Sequence, residues 1–261
     1  MGLTATTSIT YAGIILGDTG SDVIDSTVTI SSSSNPLNTV NETILAGAGL
    51  DTVMATLDTS GTPVRGSATI TIDGGAGTDT ILATAIGDFG AFNIDGGDAN
   101  DVISITNTVF NATRDTLKGG AGNDTITGGD GLESIAGDAG ADHLVASLFG
   151  SEFHGGSIGG TGDGEADTFV FDPTVQQGSN TIHDFEFAHD ILQFTGLVDA
   201  GAPGLADDID ALIVDSADFG PGSDRYIVLS SGTYIQFNDT GTGSFTSIAD
   251  MVSDPLSQLI A

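Results

Sequence analysis

The chain has 261 residues, enough for one large domain or two modest ones. Its 36 acidic residues face only four basic ones, a formal charge of −32. That balance repels nucleic acid and anionic membranes, which both need clustered Lys and Arg, and recruits cations instead. Hydrophobic residues supply 39% of the chain, so a packed core is available, and the absence of cysteine excludes disulfides and thiolate metal sites.

The opening, MGLTATTSITYAGIILG, lacks a basic stretch and a small-residue cleavage motif, so no cleaved leader is expected there. No apolar run approaches membrane-spanning length, and no membrane insertion is expected. The acids are nearly all Asp, with Glu only at Glu42, Glu133, Glu152, Glu165 and Glu186. Short Asp side chains bond nearby backbone and favour turns, which places the charge on turns rather than on helix faces.

A glycine-aspartate phrase then recurs along the chain. It reads GDTGSDVID from Gly17, AGAGLDTVM from Ala46, GGAGTDTIL from Gly74 and GGDANDVIS from Gly96. GGAGNDTIT, GGDGLESIA and GDAGADHLV follow back to back from Gly119, Gly128 and Gly137, at a period of nine. Short strands are predicted before the turns at 42–45 (ETIL), 69–72 (TITI), 91–94 (AFNI) and 115–118 (DTLK). The Ser/Thr-rich returns Ser31–Asn38 and Thr59–Gly66 are expected to bulge as loops.

In the unit GGAGNDTIT the glycines permit the positive φ of a tight turn, Asp at position six sets a carboxylate on it, and Ile126 points inward from a short strand. Turn plus strand takes nine residues, so two units make one coil of a flattened solenoid. Counted along one edge, turns begin at 17, 46, 74, 96, 119 and 137, with another Gly-Gly at 155. The coils therefore shorten from 29 residues to 18. Equivalent Asp side chains would stack roughly 4.8 Å apart, the strand spacing. Such a column repels itself unless a cation neutralises it. Calcium, a hard ion taking six to eight oxygens in flexible geometry, suits carboxylates among carbonyls better than magnesium does. Glu133 breaks the pattern, and Asp115 and Glu42, nine residues before Asp124 and Asp51, suggest degenerate sites on the second edge.

These residues resemble the RTX (repeats-in-toxin) family, whose repeat G-G-x-G-x-D-x-U-x folds as a calcium-bound parallel β-roll. The resemblance is tight over 119–145 and looser over 17–104. Residues 162–171 (GDGEADTFVF) and 179–197 further resemble the segment that closes the roll in serralysin-type proteins, through Ile182, Asp184, Phe185, Asp190 and Leu192. The fold expected is all-β: a right-handed parallel β-roll with calcium-binding turns over 1–171, then a strand-rich capping and secretion-signal region over 172–261. The calcium-holding set expected comprises Asp22, Asp51, Asp79, Asp98, Asp101, Asp124, Asp130, Asp138, Asp142, Asp163 and Asp167. It adds Gly74, Gly96, Gly119, Gly122 and Gly137 from the turns, and Asp184 and Asp190 from the closing segment. The resemblance also implies export by a type I secretion machinery through an uncleaved C-terminal signal. An acidic chain kept unfolded by repulsion inside the cell would fold where calcium reaches about 10⁻⁴–10⁻³ M.

No catalytic pattern is expected to be working. The histidines His143, His154, His183 and His189 never form H-E-x-x-H, and Ser157 in GGSIGG (155–160) fits the letters of G-x-S-x-G but is not expected on the strand–helix elbow that the motif needs. The expectation is a non-enzymatic, extracellular, calcium-dependent structural protein that self-associates into a fibre, matrix or surface layer. The alternatives are an adhesin or glycan-binding module, or the RTX module of a secreted enzyme. In the last part of the chain, 225–237 (RYIVLSSGTYIQF) reads as a hairpin around Ser230–Gly232, and a short helix is expected near Ser247–Val252.

Overall fold

The long strands of the first coils alternate buried with less buried positions, and that alternation lets two sheets close around one apolar interior. The structure, a computed structural model, describes residues 4–9, 13–29, 40–60, 68–87, 89–107, 111–160, 162–186, 189–195, 213–218, 225–238 and 259–260. The expected loop 31–38, most of the loop 59–66 and the helix near 247–252 lie outside these residues.

Strands come in pairs, one for each sheet. The first coils hold β1 (Thr4–Ile9) and β2 (Gly13–Leu16), β3 (Val23–Thr29) and β4 (Val40–Leu45), β5 (Thr52–Asp58) and β6 (Ala68–Asp73). The middle coils hold β7 (Thr80–Ile86) and β8 (Ala91–Asp98), β9 (Val102–Asn107) and β10 (Asn111–Ala121), β11 (Thr125–Thr127) and β12 (Gly131–Ala139). Beyond them lie β13 (His143–Val145) and β14 (Ser151–His154), β15 (Thr168–Phe171) and β16 (Ser179–Ile182), then β17 (Ile191–Phe194). The odd strands β1 to β17 pair in parallel in one sheet and the even strands β2 to β16 in the other, so each coil crosses once between sheets on either edge. Among the described residues there is no helix. The fold is an all-β parallel β-roll, as expected.

Register turns the repeat into continuous inward rows. Ile24, Val53, Ile81, Ile103, Ile126, Leu144, Phe169 and Leu192 form one row in the first sheet. Ile15, Ile44, Ile72, Ile94, Leu117, Ile135, Phe153 and Ile182 face them from the second. All are buried, and each such side chain contributes about 1.5–3 kcal/mol. Toward the C-terminal end Phe stands at inward positions that Ile or Leu hold earlier, and the rings meet edge to face. Phe153 meets Phe169 at 6.0 Å and 89°.

The C-terminal end changes geometry. β18 (Ile213–Asp218), β19 (Arg225–Leu229) and β20 (Tyr234–Phe237) run antiparallel to one another, and β20 joins the roll beside β16. The expected hairpin is present, with Gly232 N–H donating to Leu229 C=O at 2.8 Å and φ of +88° at Gly232. β21 (Leu259–Ile260) completes the first sheet beside β17.

Candidate metal centre

Among the described residues, the turns that pass from the second sheet to the first lie on one edge, and there the Asp side chains form a ladder. The N–H of Asp22 donates to Asp51 Oδ1 at 2.7 Å. Asp51 donates in the same way to Asp79, Asp79 to Asp101, Asp101 to Asp124 and Asp124 to Asp142, each at 2.7 Å. Asp142 donates to Asp167 at 3.0 Å and Asp167 to Asp190 at 3.1 Å. Eight carboxylates from eight coils are thus joined in one line, all of them buried.

The second carboxylate oxygen has a different fate along that line. At Asp51, Asp79, Asp101, Asp124 and Asp142, Oδ2 is buried and has no hydrogen-bond partner. At the two ends it is satisfied from within its own turn. Asp18 N–H donates to Asp22 Oδ2 at 2.7 Å, and Glu186 N–H to Asp190 Oδ2 at 2.6 Å. An orphaned buried charge is costly, and the carboxyls show it. Burial, reinforced by neighbouring carboxylates, pushes Asp79 up to about 6, Asp101 to about 7 and Asp142 to about 8. Asp124 rises to about 6, Asp167 to about 7 and Asp190 to about 8, again chiefly through burial.

The first glycine of each turn explains where a cation fits. A Cβ at Gly96 would lie 2.5 Å from Asp101 Oδ2 and 2.5 Å from the Gly119 carbonyl oxygen of the next coil. At Gly74 it would lie 2.8 Å from Asp79 Oδ2, with the Gly96 carbonyl also in contact. Gly119 and Gly137 repeat the relationship, each 2.6 Å from the next turn's first carbonyl. Glycine here keeps open a space bordered by an unpartnered carboxylate oxygen and a carbonyl oxygen. The donor set is hard oxygen throughout, and it fits calcium. When bound, the ion supplies the positive charge that the ladder lacks. Gly122, at the fourth turn position, holds φ of +138° and brings its backbone onto Ala99.

The other expected residues fall into distinct places. Asp98 is exposed at the third position of its turn, where its N–H donates to Gly75 C=O at 2.7 Å. Asp138 takes the second position of its turn with φ of +70°. Asp163 accepts from Gly140 N–H at 2.9 Å and so ties the longer turn 155–167 to the ladder edge. In that turn the spacing breaks: Gly155 begins it, but the ladder carboxylate comes from Asp167, twelve residues later. Asp184 caps Gly155 N–H at 2.8 Å and Gly156 N–H at 3.1 Å, and burial pushes it up to about 6. Asp130 stands apart, on the opposite edge between β11 and β12.

That opposite edge is not a second ladder. The matching inward row of the second sheet reads Glu42, Ile70, Phe92, Asp115, Glu133, Ser151, Asn180 and Ile235, so apolar residues interrupt it. The pattern of amide to side-chain oxygen survives where Phe92 N–H meets Asp115 Oδ1 at 2.8 Å and Ser151 N–H meets Asn180 Oδ1 at 2.9 Å. Asn180 and Ser151 escape a search for Asp, although their place in the coil register marks them. His143 is half-buried on β13, and the ring of His183 stacks on that of His154 at 4.6 Å. Among the described residues no group of three or more His, Asp or Glu side chains is placed to hold a metal ion by itself.

Residues 71–85 and 111–144 match the RTX calcium-binding nonapeptide repeat, in four copies. No curated protein matches the chain. Among solved structures, the AlgE6R3 subunit of the mannuronan C5-epimerase of Azotobacter vinelandii is similar at 18% identity, over 58% of this chain and 86% of that one. The TM-score of that superposition is 0.25. The turns that carry the ladder through Asp79, Asp124 and Asp142 fall within the matched residues; the chain carries RTX calcium-binding nonapeptide repeats wound into a parallel β-roll.

Proposed function

We propose that this protein is a secreted, non-catalytic scaffold that folds on calcium and then self-associates into an extracellular fibre, matrix or layer. The observation that carries the reading is the unbroken line from Asp22 to Asp190, in which Asp51, Asp79, Asp101, Asp124 and Asp142 each keep a buried carboxylate oxygen with no hydrogen-bond partner. A chain of −32 with that line unneutralised favours the unfolded state, and calcium binding then becomes folding free energy. In this reading residues 1–171 form the calcium-bound roll and 172–261 a cap that carries the signal for a type I secretion machinery. The calcium ligands are the ladder aspartates with the turn carbonyls of Gly74, Gly96, Gly119 and Gly137, joined by Asp163 and Asp184 at the closing end.

Self-association is supported by the first coils. Residues 1–17 carry no charged side chain, and β2 lies at the edge of the second sheet. Ile14 is 70% and Leu16 59% exposed on β2, with Leu45 beside Leu16 on β4, an apolar group on the outer face. The test is far-ultraviolet circular dichroism with and without chelator, followed by electron microscopy at millimolar calcium. Calcium-dependent strand content together with assemblies is expected. A chain that stays strand-rich in chelator overturns the folding part, and a monodisperse monomer in calcium overturns the assembly part.

A glycan-binding role has one observation in its favour. A groove of about 270 Å³ on the second sheet is lined by Thr71, Ile72, Asp73, Asn93, Ile94, Asp95, Thr116 and Lys118, a mixture of polar groups and apolar surface. Its hydroxyl, amide and charged groups suit a polyhydroxylated ligand. Saturable binding of the calcium-loaded monomer on a glycan array would favour this reading over the scaffold.

A further inference from the structure

Three adjacent strands of the second sheet, β6, β8 and β10, present two tracks of polar side chains along the roll axis. Register sets Thr71, Asn93 and Thr116 side by side in one track and Asp73, Asp95 and Lys118 in the other. All six alternate with the buried Ile72, Ile94 and Leu117, so they stand on the outward side of the sheet. From strand to strand the tracks repeat about every 4.8 Å. The same six side chains line the groove described above.

The second track is acidic in balance. Lys118 lies opposite Asp95 and close to Asp138, so one cation answers to two carboxylates, and Asp73 stands beside Asp95 as a third. A polymer of uronates or sulfated sugars would meet repulsion there, whereas a cationic ligand gains from it. The first track decides what kind of cationic chain fits. β6, β8 and β10 are hydrogen-bonded to neighbours on both sides, so they have no free edge to take an extended peptide as an added strand. Recognition is left to hydroxyl and amide side chains, each both donor and acceptor, repeated once per strand. That repetition matches a repeating polyol better than a peptide.

We infer that this groove binds a linear polysaccharide carrying free amino groups, laid along the roll axis with its ammonium groups on Asp73 and Asp95 and its hydroxyls on Thr71, Asn93 and Thr116. This rests on the glycan-binding reading above but on no residue of the ladder, and it does not require assembly. Lys118 opposes the same ammonium groups and so limits the affinity.

The test titrates the full-length protein in saturating calcium with a glucosamine oligomer, under mildly acidic conditions that keep its amines charged. N-acetylglucosamine, uronate and lysine oligomers of matched length are titrated beside it. Saturable binding of the glucosamine oligomer is expected, about tenfold tighter than the N-acetylated one and weakened by salt, with none for the uronate. Asp73→Asn/Asp95→Asn should lose about the same tenfold while circular dichroism in calcium shows the strand content kept. Lys118→Gln guards against a double variant that does not fold. It is expected to bind the glucosamine oligomer more tightly than wild type, which a merely structural change does not do. Equal affinity for the two glucosamine-based oligomers, tighter binding of the uronate, or a Lys118→Gln protein that binds no better overturns the inference and leaves a glycan site of other specificity. A lysine oligomer that binds as tightly as the glucosamine one also overturns it, because attraction to an acidic face then suffices. No saturable binding of any sugar oligomer would instead sink the glycan-binding reading itself.

Discussion

The amide of Asp101 donates to the carboxylate of Asp124 at 2.7 Å, and these two residues, 23 apart in sequence, illustrate how the roll is built. At Asp51, Asp79, Asp101, Asp124 and Asp142 one carboxylate oxygen accepts the amide of the coil before it, and the other is buried without a hydrogen-bond partner. The two oxygens of a single side chain thus stand in different surroundings.

Replacing Asp124 tests the two oxygens separately. Asp124→Asn keeps an oxygen for the Asp101 amide but loses the charge, so calcium affinity should fall while strand content in saturating calcium persists. Asp124→Ala also strands the buried amide and should cost about 1–3 kcal/mol more than Asn. Calcium titration followed by circular dichroism, with thermal melts of both variants, checks the order; equal losses for Asn and Ala would contradict it.

Gly96→Ala should be severe for its size. The added methyl would lie 2.5 Å from both Asp101 Oδ2 and the Gly119 carbonyl oxygen, two atoms fixed by the ladder and the coil. A loss of about 1–3 kcal/mol in calcium is expected from overpacking, with weaker calcium binding. By contrast Gly159→Ala meets nothing within 4 Å, though its φ of +75° carries a small strain cost. Paired melting curves should show Gly96→Ala well below Gly159→Ala.

Acid should partly replace calcium. Folding raises Asp101 to about 7, Asp142 and Asp190 to about 8, against an ordinary value near 3.9 in the unfolded chain. The folded form therefore holds protons more tightly than the unfolded form. Stability without calcium is greatest below the unfolded value and is lost as pH rises through about 4 to 8. Melts in chelator at pH 5 and pH 8 should show the higher midpoint at pH 5. With saturating calcium, which competes with protons for the same oxygens, the difference should shrink or reverse. A metal-free protein more stable at pH 8 would refute this account.

Assembly should depend on the first coils. Ile14→Asp/Leu16→Asp places charge on two exposed positions that no inward packing requires, so folding on calcium should be kept. Light scattering or sedimentation should then show fewer or smaller assemblies at the same calcium concentration. Unchanged assembly would move the interface elsewhere.

Much of the architecture was legible before any coordinates. Ile126 and Leu144 repeat their place in the nine-residue unit, and the structure sets them in neighbouring positions of one buried row. Local composition suffices for this because a turn of glycine and Asp followed by a short apolar strand has few ways to repeat except by winding. Asp167 was harder to place, since twelve residues separate it from Gly155, and only the amide of Asp142 shows that it continues the ladder. Ser151 and Asn180 were harder still. Their types carry no metal signature, and their meaning comes from the strands they face.

The sequence by itself determined the winding, the inward rows and the recurrence of Asp on glycine turns, because these depend on residues within one coil of one another. Only the tertiary structure decided which oxygen of Asp51, Asp79, Asp101, Asp124 and Asp142 is left without a partner, that one edge is continuous while the other is broken at Ile70 and Phe92, and that Asp115 and Glu133 are neighbours. Those relationships join residues 18 to 29 apart in sequence. The return loops between coils vary in length, so the register across them is settled by hydrogen bonds between coils and by burial.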